Sequence, residues 1–206
     1  MKNLEKQIQL AIDLYKEKKL YKAESIVRDL IIDNSKEVYL YNLIGLVLAD
    51  QRKIDQAIDF YLKGIKINSN FPQLHNNLGT AYKIKGQYEN AEHSYKKAMK
   101  IDGRIPEPHN NLGNLYLATN KYKESINSFK KAIELNSKYF IFHYNIAIAY
   151  KNIGDFENSK KYLNNSIKLN PNFYTAHRTL SQIVNYKKKN NENLSLILKI
   201  YNDKKI

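Results

Sequence analysis

PQLHNNLGTAYKIKGQYENAEHSYKKAMKIDGRI, residues 72–105, is the stretch that decides the fold. Leu78, Gly79 and Tyr82 fall on one side of Gly86, and Ala91, Tyr95 and Ala98 fall on the other at helical spacing. This reads as two short helices closed by a glycine at the C-cap. Moving along the chain by 34 residues finds the pattern again in Leu112-Gly113, Tyr116, Tyr122, Ser125, Phe129 and Ala132. A further step finds Ile146-Ala147, Tyr150, Gly154, Phe156, Ser159 and Leu163. Backwards lie Ile44-Gly45, Leu48, Ala57, Tyr61 and Gly64, and before them Leu10-Ala11, Leu14, Ala23, Val27 and Leu30. Self-similarity at one period, held without insertion, identifies a stack of supersecondary units that bury their apolar faces on their neighbours.

Each unit resembles the tetratricopeptide repeat, whose mark is a Leu-Gly pair, an aromatic three residues on, then small and aromatic residues at set spacings. The resemblance implies an all-α fold, a right-handed α-solenoid superhelix of helix-turn-helix repeats. It divides one domain, 1–206, into repeats 4–37, 38–71, 72–105, 106–139 and 140–173, with a partial sixth repeat and capping helix over 174–206. In the capping segment Leu194, Ile197, Leu198 and Tyr201 share one helical face. The array is similar to the repeats of bacterial proteins of this family and of the O-GlcNAc transferase family. The stretch from His177-Arg178 through Tyr201 is similar to proteins that join such arrays to a sulfotransferase domain.

The repeated positions have direct physical meanings. Small residues at Gly79, Gly113 and Ala147 let the first helix of a pair approach the second, and Tyr82, Tyr116 and Tyr150 are expected to fill the remaining space. Asp102, Asn136 and Asn170 close the second helices. A content of 43% hydrophobic residues suffices for such a core, and the absence of cysteine excludes disulfides and thiolate metal sites. No apolar run approaches the roughly 20 residues of a membrane span, and the N-terminus lacks a secretory pattern. A cytoplasmic protein is the expectation.

The resemblance implies that first helices line a concave groove. Asn77, Asn111 and Asn145 recur there, and Asn42, Asn76, Asn110 and Asn114 widen the polar strip. Side-chain amides both donate and accept, so a ladder of them suits the backbone of an extended peptide. Tyr144 lies beside them, with Ile148, Leu46, Leu117 and Ile84, and Lys83, Lys151 and Arg178 make the groove mildly basic. The positions that clamp acidic chaperone tails in some relatives hold Asn110, Thr175 and Thr179, so that mode is not expected.

His75, His109, His143 and His177 also recur at this period. Stacked units are about 10 Å apart, too far for one ion to bridge, so packing is their expected role. The net charge of +14 raises an anionic partner, yet Lys96, Lys97, Lys100, Lys130, Lys131, Lys161 and Lys168 belong to second helices, on the outer face. No phosphate loop or nucleophile-base motif is present, which argues against an enzyme, and no cofactor or metal is expected. Three functions follow as expectations: a scaffold holding an extended protein or peptide partner, a recognition arm for a glycosyl- or sulfotransferase system, and a nucleic-acid or membrane-surface binder using the convex lysines. Exposed end repeats would allow self-association.

Overall fold

The computed structural model describes residues 2–183. The predicted capping helix lies outside the described residues. Helices follow one another in pairs: α1 (Lys2–Lys16) with α2 (Leu20–Asp33), α3 (Val38–Asp50) with α4 (Ile54–Ile67), α5 (Pro72–Ile84) with α6 (Tyr88–Ile101), α7 (Pro106–Ala118) with α8 (Tyr122–Leu135), and α9 (Phe140–Asn152) with α10 (Phe156–Leu169). A last helix, α11 (Tyr174–Ile183), opens a sixth repeat. The first helix of each pair is termed A and the second B. Between Arg104 and Ile105 the chain divides into two compact units, at the junction of the third and fourth repeats.

Each A helix ends the same way. Residues 18, 52, 86, 120 and 154 adopt left-handed backbone, with φ of 60° at Lys18, 66° at Arg52, 74° at Gly86, 60° at Asn120 and 79° at Gly154. The next amide then reaches back to the last turn, as Gln87 N–H does to the Tyr82 carbonyl at 2.9 Å and Lys53 N–H to that of Leu48 at 2.9 Å. This double-back satisfies carbonyls that the helix leaves without partners. Glycine was expected at 86 and 154; Lys18, Arg52 and Asn120 take the same conformation with a Cβ. The B helices close on side chains. Asn68, Asp102, Asn136 and Asn170 each accept the N–H two residues on, at 2.9, 3.0, 3.2 and 3.1 Å. Pro72 and Pro106 then begin α5 and α7, where a missing N–H costs nothing.

The small residue of each A helix faces a side chain sixteen positions later, on helix B. A Cβ built on Gly79 would fall 2.8 Å from the Tyr95 ring, and one on Gly113 would fall 2.6 Å from the Phe129 ring. Gly45 meets Tyr61 in the same way. Tyr61, Tyr95 and Phe129 are fully buried, and burial pushes the Tyr95 phenol up to about 12. The large partners are therefore B-helix aromatics and not the expected Tyr82 and Tyr116, which are only half-buried. In the first and fifth pairs the matching residues are Ala11 with Val27 and Ala147 with Leu163, all fully buried in their clusters.

Candidate functional site

The predicted amide strip lies on A helices, and its members are linked within each unit. Asn77 Nδ2 donates to Asn42 Oδ1 at 2.8 Å, joining α5 to α3. Asn145 Nδ2 donates to Asn110 Oδ1 at 2.8 Å, joining α9 to α7. Asn76 Nδ2 donates to Asn77 Oδ1 at 3.2 Å, and Asn110 Nδ2 to Asn111 Oδ1 at 3.5 Å. Asn42 and Asn110 are 7% and 8% exposed, so these two are buried acceptors and not part of an open strip as expected. A neutral amide beneath the helix surface needs a partner, and the amide of the adjacent A helix supplies it. Asn76, Asn77, Asn111, Asn114 and Asn145 are half-buried.

The other predicted residues divide. Lys83 is half-buried, and desolvation lowers its pKa. Lys151, also half-buried, donates from Nζ to Gln182 Oε1 on α11 at 2.9 Å, while Arg178 is exposed. Tyr144 packs edge-on against Phe173, ring centroids 5.1 Å apart, so much of its ring serves the core.

Beside Asn77 in the first unit opens a cavity of about 450 Å³. Leu46 and Ile84 give it apolar walls, Thr80 and Asn77 polar ones, and Lys18 and Arg52 a basic edge on which Lys18 Nζ meets Asp50 at 2.8 Å. Sequence reasoning placed Leu46 and Ile84 here and missed Lys18, Thr80 and Arg52. The signal for Lys18 and Arg52 was their position, 68 and 34 residues before Gly86, at the turns that edge the A-helix face.

The repeated histidines are buried or half-buried, and three bind backbone six residues earlier. His75 Nε2 lies 2.9 Å from the Ser69 carbonyl, His143 Nε2 2.8 Å from that of Ser137, and His177 Nε2 2.9 Å from that of Pro171. Each ring pins the turn between repeats to its own A helix, and Tyr41 does so through its hydroxyl, 2.9 Å from the Ser35 carbonyl. Among the described residues no group of three His, Cys, Asp or Glu side chains converges on a possible metal position. None of the described helices is long and apolar enough to cross a membrane.

The TPR repeat profile matches residues 45–84, 79–119 and 113–154, and the Tetratricopeptide repeat profile matches 142–173. The chain belongs to the tetratricopeptide-repeat family. As a TPR protein it is similar in fold to TTC0263, a thermophilic TPR protein of Thermus thermophilus, at 14% identity and a TM-score of 0.75 over 87% of this chain and 98% of that one. Pseudomonas aeruginosa pilF is similar at 16% identity and a TM-score of 0.77, over 97% of this chain and 89% of its own. YrrB, described as a TPR protein with an unusual peptide-binding site, shares 17% identity and a TM-score of 0.63 over 86% of this chain and 92% of its own. No curated protein sequence matches the TPR chain.

Proposed function

We propose that the chain is a protein-interaction module whose A helices hold an extended segment of a partner protein. The observation that carries this reading is the amide pairing. Asn77 and Asn145 are each fixed by a 2.8 Å bond to the neighbouring A helix, so their orientation is set before a ligand arrives. An amide has two N–H donors and two acceptor lone pairs, so one helix-to-helix bond leaves capacity for a peptide backbone. Side chains already ordered lose less entropy on binding.

The cavity beside Asn77 supports the same reading. Its apolar walls and basic edge suit a partner side chain following the backbone that the amides hold. The chain's similarity in fold to YrrB, described as having a peptide-binding site, is consistent with this use.

The test compares wild type with the Asn77→Ala, Asn111→Ala, Asn145→Ala triple variant in affinity capture from native lysate, with captured proteins identified at low and moderate salt. Proteins that survive moderate salt and disappear with the triple variant are the expected result. The thermal midpoint of the variant is measured on the same sample, because Asn77 and Asn145 also tie helices together. Unchanged capture by a folded triple variant overturns the reading.

A further inference from the structure

A second cavity of about 560 Å³ lies in the first unit, in the cleft between the B helices α4 and α6, with α5 as its floor. Leu62 and Ile65 of α4 and Leu78 and Tyr82 of α5 make its apolar lining. Lys96, Lys97 and Lys100 of α6 edge it, His93 stands beside them, and no carboxylate of the described residues lines it. Lys96 is paired with Glu92 at 2.6 Å, whereas Lys97 and Lys100 have no ion-pair partner among the described residues.

The equivalent clefts inside each unit each hold an aromatic ring. In the cleft between α2 and α4, Phe60 sets its ring 6.4 Å from that of Tyr41 on α3. In the cleft between α8 and α10, Tyr162 lies 6.1 Å from the His143 ring and stacks on Tyr150 at 5.6 Å with an interplanar angle of 11°. Ile26, Phe60, Ser94, Ser128 and Tyr162 occupy one position of the repeat, and so do Tyr41, His75, His109 and His143. In the cleft between α4 and α6 the ring is replaced by Ser94, whose hydroxyl turns back to the Asn90 carbonyl at 2.8 Å. The walls that would receive an aromatic side chain, His75 and Tyr82, are in place, and no Phe or further Tyr ring of the described residues lines the cleft. Burial, opposed by the bond to Ser69, lowers the His75 pKa, and Lys97 and His93 act in the same direction. Lys97 and Lys100 at its edge make the cleft electropositive.

We propose that the Ser94 cleft is a second docking site, which takes an aromatic side chain of a partner protein flanked by acidic residues. The ring replaces the one that Phe60 and Tyr162 provide elsewhere, and the flanking carboxylates meet Lys97 and Lys100. A nucleic acid fits the cleft less well. Leu62, Ile65 and Leu78 offer nothing to the polar edges of a base, and an unpaired polar edge against such a lining is costly.

The chain contains no tryptophan, so a bound tryptophan can be read without background. The probe is the blocked peptide Asp-Glu-Trp-Asp-Glu, titrated with the full chain at low salt while its emission is followed. A saturable blue shift is expected. Ser94→Tyr, which copies the filled cleft, is expected to weaken binding about tenfold or more, as loss of an aromatic anchor does. The same loss is expected for the double variant Lys97→Glu and Lys100→Glu, neither of whose side chains is fully buried. The second variant decides the matter should the first not fold. A peptide with alanine for tryptophan is expected to compete at least about tenfold less well. The proposal is overturned by an unshifted emission, by undiminished binding to the charge-reversed variant or to folded Ser94→Tyr, or by equal competition from the alanine peptide. Displacement of the probe by oligothymidylate more effectively than by unlabelled peptide also overturns it, in favour of nucleic acid.

Discussion

The second, third and fourth helix pairs close on glycine against an aromatic ring, while the first and fifth close on alanine against an aliphatic side chain. The helices pair in the same manner in both cases. Alanine with leucine takes about the volume of glycine with an aromatic ring, as expected of an interior packed near crystal density, while Ala11 with Val27 makes a smaller contact. Between the two units a different small position changes. Where the first unit has alanine at positions 23, 57 and 91, the second has Ser125 and Ser159. Their hydroxyls donate to the Gly113 and Ala147 carbonyls at 2.8 Å, so one small position serves either as an apolar spacer or as a hydrogen-bonded link between A and B.

The strongest way to break the first comparison is to mix the two solutions. Gly113→Ala places a methyl group within 2.6 Å of the Phe129 ring and forces it off its site. A loss of about 2–3 kcal/mol is expected for this overpacking. Phe129→Leu opens a cavity and is expected to lose about 1–2 kcal/mol. Together they recreate the Ala147 and Leu163 pair, so the double variant is expected to be more stable than Gly113→Ala alone, with a coupling of about 1 kcal/mol or more. Urea unfolding of the four proteins measures it. Additive losses would show that the backbone separation of each pair is set elsewhere.

A smaller effect contrasts Tyr41 with His75, which hold equivalent turns by different chemistry. Burial, opposed by the bond to Ser69 and reinforced by Lys97 and His93, lowers the His75 pKa from its ordinary 6.5. The unfolded chain then binds this proton more tightly than the folded one, so the contribution to stability is complete above pH 6.5 and is lost as pH falls through the folded pKa. His75→Tyr copies Tyr41 and removes the titration. The variant is expected to match wild type near about pH 8 and to lose fewer degrees of melting temperature on acidification. An identical acid slope for the two proteins would place the titration at other groups.

The fold was legible because its cause is local and periodic. Gly79 with Tyr95 repeats as Gly113 with Phe129, and a period read once is confirmed at each further copy. The candidate site was legible only in part. Asn77 and Asn145 were found by their spacing, but the same spacing does not reveal that each spends a donor on Asn42 or Asn110, since that bond depends on how adjacent A helices are offset. Identifying the open cleft needed the difference at one position, Ser94 against Phe60 and Tyr162, and what that difference means depends on which side chain each ring faces. Lys18, Arg52 and Asn120 hide the left-handed turn in the sequence because side-chain-bearing residues seldom mark that conformation.

Those turns carry the smallest prediction, and they test whether the two kinds of turn residue are equivalent. Arg52 holds φ of 66° with a Cβ present, while Gly86 holds 74° without one. The left-handed region costs a side-chain-bearing residue about 1–2 kcal/mol. Glycine removes that strain but gives the unfolded chain more freedom, which takes back about 0.4–1 kcal/mol. Arg52→Gly is therefore expected to gain about 0.5 kcal/mol, and Gly86→Ala, where nothing lies within 4 Å of the added Cβ, to lose about 0.5 kcal/mol by the same two opposed effects. Both are read from urea midpoints at constant slope. A loss from Arg52→Gly would mean that this side chain contributes more at the edge of the Asn77 cavity than its backbone strain costs. The cavity edge would then be part of what stabilises the second repeat even before a partner binds.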